Sequence, residues 1–238
     1  MNGGKHRSLF FLGLPDLKKL VCVTLRLREE EDEELRSQQM KSCRELLLMF
    51  SDVLACPAPD SFSDITTVMA IQFYQRGFLQ AFAQRNKLQL GSPQLVFPGD
   101  LQCSLSYSLV TRLAPRWNKA GLYLVAGKDF LSDRGRLSAV SLELSSSQGH
   151  LCLSLQAHIL RLPPPTLQDF DLVPSVLQRF CCDPESILNP SSTGGTVWCH
   201  VLPSMRKGQI INISRQLPRD RPFRTYVDLQ NHWTRLVQ

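Results

Sequence analysis

The side chains able to do chemistry in this 238-residue chain include five histidines, eight cysteines and 21 carboxylates, so their spacing is the first question. Cys199-His200 set a thiol beside an imidazole, the groups that hold zinc or form a nucleophile–base pair. Consecutive residues on a strand point to opposite faces, so these two cannot share one metal. Asp169-Phe170-Asp171 has the spacing of an acid pair that holds a cation in some sugar transferases. No nucleotide-binding pattern surrounds it, and a structural role is expected. Ser191-Ser192-Thr193-Gly194-Gly195-Thr196 has the small residues of a phosphate cradle but lacks a lysine, and a strand follows where a helix N-terminus is needed. An ordinary loop is expected there. His158 falls on the polar face of a predicted strand, in solvent, and His232 in the last turns of a predicted helix, where its cation suits the dipole. The dinucleotide, phosphate-loop, nucleophile-elbow and His-Glu-x-x-His motifs are all absent. The expectation is no catalytic residue, no cofactor and no metal.

Hydrophobic residues at 43% and charged residues at 20% describe a chain that folds and buries a core. No run approaches the length of a membrane span, and the short apolar stretch Leu9 to Leu14 is cut by Pro15-Asp16 before it resembles a secretion signal. The cysteines are scattered, with Cys181-Cys182 adjacent, and no Cys-x-x-Cys occurs. Reduced, buried thiols in an intracellular protein of the cytoplasm or nucleus are expected, which leaves the sequon at Asn212 unused. Net charge is +6, and the last 36 residues carry most of it. Arg206, Lys207, Arg215, Arg219, Arg221 and Arg224 form a candidate surface for an anionic partner, interleaved with Trp198, Phe223, Tyr226 and Trp233.

The periodicities that must position these groups favour strands over helices. Strands are expected at residues 8–14, 20–27, 66–73, 94–97, 103–113 and 122–126. In the second, Val21, Val23, Leu25 and Leu27 share one face. The acidic run Glu29 to Glu34 opens a helix over 33–54, whose buried stripe includes Leu35, Gln39 or Met40, Cys43, Leu46, Leu47 and Phe50. Solvation of that run is expected rather than metal binding. Cys56-Pro57-Ala58-Pro59 reads as a breaker, and Gly77 opens a helix to Asn86.

The firmest local pattern is a half-buried antiparallel hairpin. Val140, Leu142 and Leu144 alternate with polar residues, as do Leu151, Leu153, Leu155, Ala157 and Ile159 across Ser146-Ser147-Gln148-Gly149. Pro163-Pro164-Pro165 then marks a strap or a sub-boundary near 163–166. A helix over 174–181, a strand pair at 197–202 and 209–214, and a final helix capped by Thr225 and Asp228 complete the pattern. Tyr226, Leu229, Trp233 and Leu236 or Val237 form that helix's expected stripe. The expected architecture is α+β: an antiparallel-dominated mixed sheet with helices packed on it, in a single domain over 1–238.

Several segments carry a resemblance. They include Ser8-Leu-Phe-Phe with Leu14-Pro-Asp-Leu, Val68-Met-Ala-Ile with Phe73-Tyr74, and Leu105-Ser-Tyr-Ser with Trp117-Asn118. Arg161-Leu-Pro-Pro-Pro165, Trp198-Cys199, Gly208-Gln-Ile-Ile-Asn-Ile213 and Pro222-Phe-Arg follow in the same order. By these the chain resembles an uncharacterised animal protein family, a domain of unknown function. Its human member is known only as a chromosome-eighteen open-reading-frame protein. The resemblance implies no assigned activity, and it implies that this chain is a truncated or short form of a protein with a longer polar tail. The expected function is a non-catalytic binding module for protein partners, with nucleic-acid binding at the basic C-terminal region as the alternative and no membrane partner.

Overall fold

The computed structural model describes residues 7–28, 32–131, 135–147, 149–162, 165–190, 196–201, 206–217 and 223–237. Along the chain run β1 (Arg7–Gly13), β2 (Leu20–Arg26), α1 (Asp32–Met49), β3 (Val53–Pro57) and β4 (Asp64–Ala70). Then come α2 (Ile71–Tyr74), α3 (Phe78–Arg85), β5 (Gln89–Leu90), α4 (Pro98–Leu113), β6 (Trp117–Ala120) and β7 (Tyr123–Ala126). The long strands β8 (Arg136–Ser147) and β9 (His150–Arg161) lead to α5 (Pro174–Cys182) and β10 (Ile187–Leu188). The rest is β11 (Trp198–Val201), β12 (Arg206–Gln209), β13 (Ile213–Ser214) and α6 (Tyr226–Val237). The fold is α+β with antiparallel sheets.

The chain divides into two compact units, one of residues 1–114 and 142–156, the other of 115–141 and 157–238. In the first, a four-stranded antiparallel sheet runs in the order β3-β4-β2-β5. Alternation buries Val21, Val23 and Leu25 of β2 against Cys43, Leu46 and Leu47 of α1 and Leu79, Phe82 and Ala83 of α3. Rings of Phe50, Phe73, Phe78 and Phe82 close the end of this core, with centroids 5.3–6.3 Å apart. Gln39 is fully buried in α1 and ties down the loop before β4. Its Nε2 donates to Ser61 O at 2.9 Å and Asp64 O at 2.5 Å, while its Oε1 accepts from Arg36.

Four expected features of this unit differ. The strand expected over 66–73 ends at Ala70, and Ile71–Tyr74 form the short helix α2. Residues 103–113 belong to the helix α4, not to a strand. The serines at 104, 106 and 108 imitate the polar positions of a strand, yet Ser104 and Ser108 are the buried ones, four apart on one helical face. Pro98 at the first turn and the Asp100 carboxylate accepting from Phe97 N–H at 3.0 Å start the helix. The helix expected to reach residue 54 ends at Met49, and β3 occupies the segment that reads as a breaker. Residues 94–97 give one bridge, Gln94 to Cys22, because Pro93 and Pro98 flank them and bring no N–H.

Small residues let α4 lie close on β3 and close its outer edge. The Ser108 hydroxyl accepts from Ala55 N–H at 2.9 Å, and its hydrogen is shared between Ala55 O at 3.2 Å and Ser104 O at 2.6 Å. One turn on, Arg112 donates to Val53 O at 2.9 Å and to the carbonyls of Phe50 and Ser51. Val53 N–H reaches Phe50 O, and Pro57 has no N–H to satisfy. At the opposite edge of the sheet, Gly91 N–H bonds Thr24 O at 2.8 Å. A Cβ at Gly91 would stand 2.9 Å from that same oxygen, so the close approach needs glycine. β1 also lies in this unit, paired antiparallel with residues 150–156 of β9.

In the second unit, β6 and β7 pair with one another and β7 with residues 139–141 of β8. Ala120, Val125, Leu137 and Ala139 form the core, with Tyr123, Leu160 and Leu162 against it. The hairpin is present as expected, but its buried face changes along the strand. Leu151 is buried, whereas Ala157 and Ile159 are exposed and Leu160 packs inward. Strict alternation carried past Ser154 therefore assigns the wrong face. β11 pairs with β12, and β13 with β10, in place of the expected pairing of 197–202 with 209–214. Fewer residues separate Val201 from Arg206 than separate the two segments in the expected pairing, and the smaller separation closes at lower entropic cost. Thr225 caps α6 with reciprocal bonds to Asp228 at 3.0 and 3.1 Å, but Tyr226 is 57% exposed and not part of a buried stripe. The Trp233 side chain, Pro163-Pro164 and Glu29-Glu30-Glu31 lie outside the described residues.

Removing the hydroxyl that closes β3 leaves Ala55 N–H buried without a partner. Ser108→Ala is expected to lower the free energy of unfolding by about 1–3 kcal/mol. Ser106→Ala, on the same helix with no such bond, is expected to change it by about 0.5 kcal/mol or less. Urea denaturation of the two variants checks this.

Candidate functional site

β1 is the outermost strand on its side, and its sequence Arg-Ser-Leu-Phe-Phe-Leu-Gly is exposed at every residue. Alternation normally hides one face of an apolar strand, yet here Phe10 is 49% exposed and Phe11, on the opposite face, 67%. Leu9 and Leu12 are half exposed. The register is continuous from Arg7↔Gln156 to Gly13↔His150, and Leu14 N–H extends it to Gly149 O at 3.0 Å. Hydrogen-bonded pairs alternate in an antiparallel ladder, so Ser8, Phe10 and Leu12 bond to β9. Arg7, Leu9, Phe11 and Gly13 turn their N–H and C=O groups outward. Among the described residues no group meets these outward amides. Arg7 anchors one end through Ser154 Oγ at 2.6 Å and Glu143 at 3.3 Å.

Four of the six cations expected to form a surface lie within the described residues. Arg206 and Lys207 are exposed on β12 and, being consecutive, leave it on opposite faces. Arg215 donates to the carbonyls of Phe180 at 3.5 Å and Cys181 at 2.8 Å, closing the end of α5. Arg224 is exposed just before α6. Arg219 and Arg221 lie outside the described residues.

A family model described as a domain of unknown function (DUF4708) matches residues 7–238, a span that begins at the first residue of β1. The chain belongs to that family. No solved structure matches it.

Elsewhere in this DUF4708 chain several ionisable groups have structural explanations. Asp169 accepts from the backbone and hydroxyl of Thr166, at 2.6 and 2.9 Å, which holds its carboxyl below the usual range. Thr166 is the N-cap of a 3-10 turn and Asp169 its N3 partner in a capping box, while Asp171 stands at the C-cap after the buried Phe170. Hydrogen bonds from Arg26 at 2.7 and 3.0 Å similarly lower Asp64. Burial pushes the Cys22 thiol up to about 11 and Cys43 up to about 12, and it raises Cys56 as well. These three fit the expected inert thiols. Cys103, Cys181 and Cys182 do not, because they are exposed.

His158 is half-buried rather than solvated. Its Nε2 lies 3.1 Å from Ser141 Oγ on the neighbouring strand, and its ring meets Tyr123 edge-on at 5.0 Å. Sequence reasoning missed this contact because it joins residues 17 apart across the hairpin. A hydroxyl and an imidazole at that distance could pass a proton, but no carboxylate is hydrogen-bonded to His158 among the described residues. Residues 191–195 of the small-residue loop lie outside those described. Among the described residues, no helix is long and apolar enough to cross a membrane.

The outward direction of alternate amides on β1 can be tested with proline, which removes one N–H. Phe10→Pro deletes a bond to β9 and is expected to destabilise the chain markedly. Phe11→Pro deletes only an outward N–H and is expected to be the milder change. Thermal unfolding of the two variants decides this, and equal losses would contradict the assigned register.

Proposed function

We propose that this DUF4708 chain, a member of the animal group it resembles, is a non-catalytic protein-binding module that takes up a partner strand at β1. The observation that carries this reading is the contrast between edges. β3 has its outward groups covered by Ser108 and Arg112, while β1 offers amides that no described group meets, beside four exposed apolar side chains. Exposed edges are aggregation hazards that chains blunt with charge, proline, bulges or covering elements, and β1 carries none of these between Ser8 and Leu12. Strand addition supplies main-chain bonds for affinity and side-chain contacts for selectivity. Exposed cysteines suit a reducing compartment, the cytoplasm or nucleus. The basic C-terminal region draws less support as a nucleic-acid surface, since Arg215 is engaged by α5 and the described cations do not share one strand face.

Site-specific photocrosslinking tests the reading. With p-benzoylphenylalanine at position 11, irradiation in cells is expected to yield a covalent adduct with a polypeptide. The same probe at Leu122, 86% exposed in the other unit, serves as the control. Equal adduct formation at both positions, or none at 11, would remove the support for β1.

A further inference from the structure

The pattern of outward amides on β1 also says what kind of strand fits it. We infer that the partner is a second copy of this chain, joined by antiparallel pairing of the two β1 strands about a two-fold axis through Phe10. This rests on the reading of β1 as a docking edge and names its occupant.

A two-fold axis between identical antiparallel strands can pass through a residue or between two residues. Passing between residues, it would set an outward residue such as Leu9 against an inward one such as Phe10, and their bonds would not meet. The axis therefore passes through a residue. At Phe10 it pairs Arg7 with Gly13 of the other copy and Leu9 with Phe11, and the reverse pairs follow by symmetry. Every outward residue of β1 then lies opposite another, and each such pair exchanges two N–H···O bonds. An axis at Phe11 would set Arg7 against Pro15, which has no N–H, and an axis at Leu9 would run Gly13 past the start of the strand. Only the Phe10 axis keeps all the outward bonds within Arg7–Gly13.

The side chains agree with the backbone. Residues directly opposite share a face, so one face brings Phe10 against Phe10, with Ser8 against Leu12 on either side. The Cα atoms at the axis stand about 4.5 Å apart, as in any non-hydrogen-bonded pair. The other face brings Leu9 against Phe11 twice. Arg7, the one charged residue of the strand, meets glycine and not its own copy. No like charges oppose across the pair, and apolar surface now exposed on both faces is covered. A self-complementary patch of this kind gives a closed dimer rather than an open fibre.

Sedimentation velocity on the full chain, over a wide range of concentration, reads the outcome. The wild-type chain is expected to form a dimer that dissociates on dilution. Phe10→Lys and Phe10→Glu place like charges against each other at the axis, so each variant alone is expected to be monomeric. Mixed in equal amounts they are expected to regain the dimer, which misfolded variants would not do. Phe11→Pro is expected to lose the dimer while keeping its circular dichroism. A wild-type chain that stays monomeric, or a dimer indifferent to all of these changes, overturns the inference. Should the position-11 crosslink trap a different polypeptide while the chain sediments as a monomer, the inference fails and the docking reading of β1 stands. Should neither adduct nor dimer appear, both fail.

Discussion

A strand at the border of a sheet leaves alternate N–H and C=O groups without a ladder, and each must find water or a partner. The chain meets this constraint in different ways at different borders. At β3 a helix supplies the partners, and only small side chains at Ser104 and Ser108 allow it close enough. Proline at the last outward position removes a donor that would otherwise need one. Beside β2, a two-residue strand and a glycine bring backbone to backbone. β6 is only four residues long and carries Lys119. β1 alone combines length, apolar side chains on both faces and outward amides that no described group meets.

How much of this was legible in the sequence depends on which forces set each element. Strand β2 was read correctly because Val21, Val23 and Leu25 alternate onto one core, while Cys22 on its other face packs into a second cluster. The capping of α6 was legible because Thr225 and Asp228 interact over one turn. The helix α4 was not, since two of its three buried residues are serines, and one of them, Ser108, serves two backbone groups of a strand about fifty residues earlier. Hydrophobic periodicity cannot see a stripe chosen for smallness and hydrogen bonding. β3 was hidden for a related reason, as Pro57 signals a break unless the strand is known to be a border. The hairpin was found, but its change of buried face needed two cores where one was assumed.

The candidate edge was half legible. The apolar strand at residues 8–14 was visible in the sequence; that both its faces would be exposed was not, because exposure depends on what the rest of the chain fails to place there. Two of the groups singled out for chemistry are local supports: Asp169 completes the capping box of Thr166 and Arg215 closes a helix. The contact of Ser141 with His158 arises from strand pairing and could not be read from spacing. The proposed role rests on backbone groups of β1 that no described group meets.

The most direct test of that arrangement is residue-resolved amide hydrogen exchange, measured on the Phe10→Lys chain so that self-pairing does not intervene. The amide of Ala55 points away from its sheet yet should exchange slowly, because Ser108 holds it. Along β1 the amide of Leu12 should be protected, while those of Leu9 and Phe11 exchange at rates close to an open chain. Protection of Leu9 and Phe11 equal to that of Leu12 would show that the edge is already covered within a single chain, and would contradict the account.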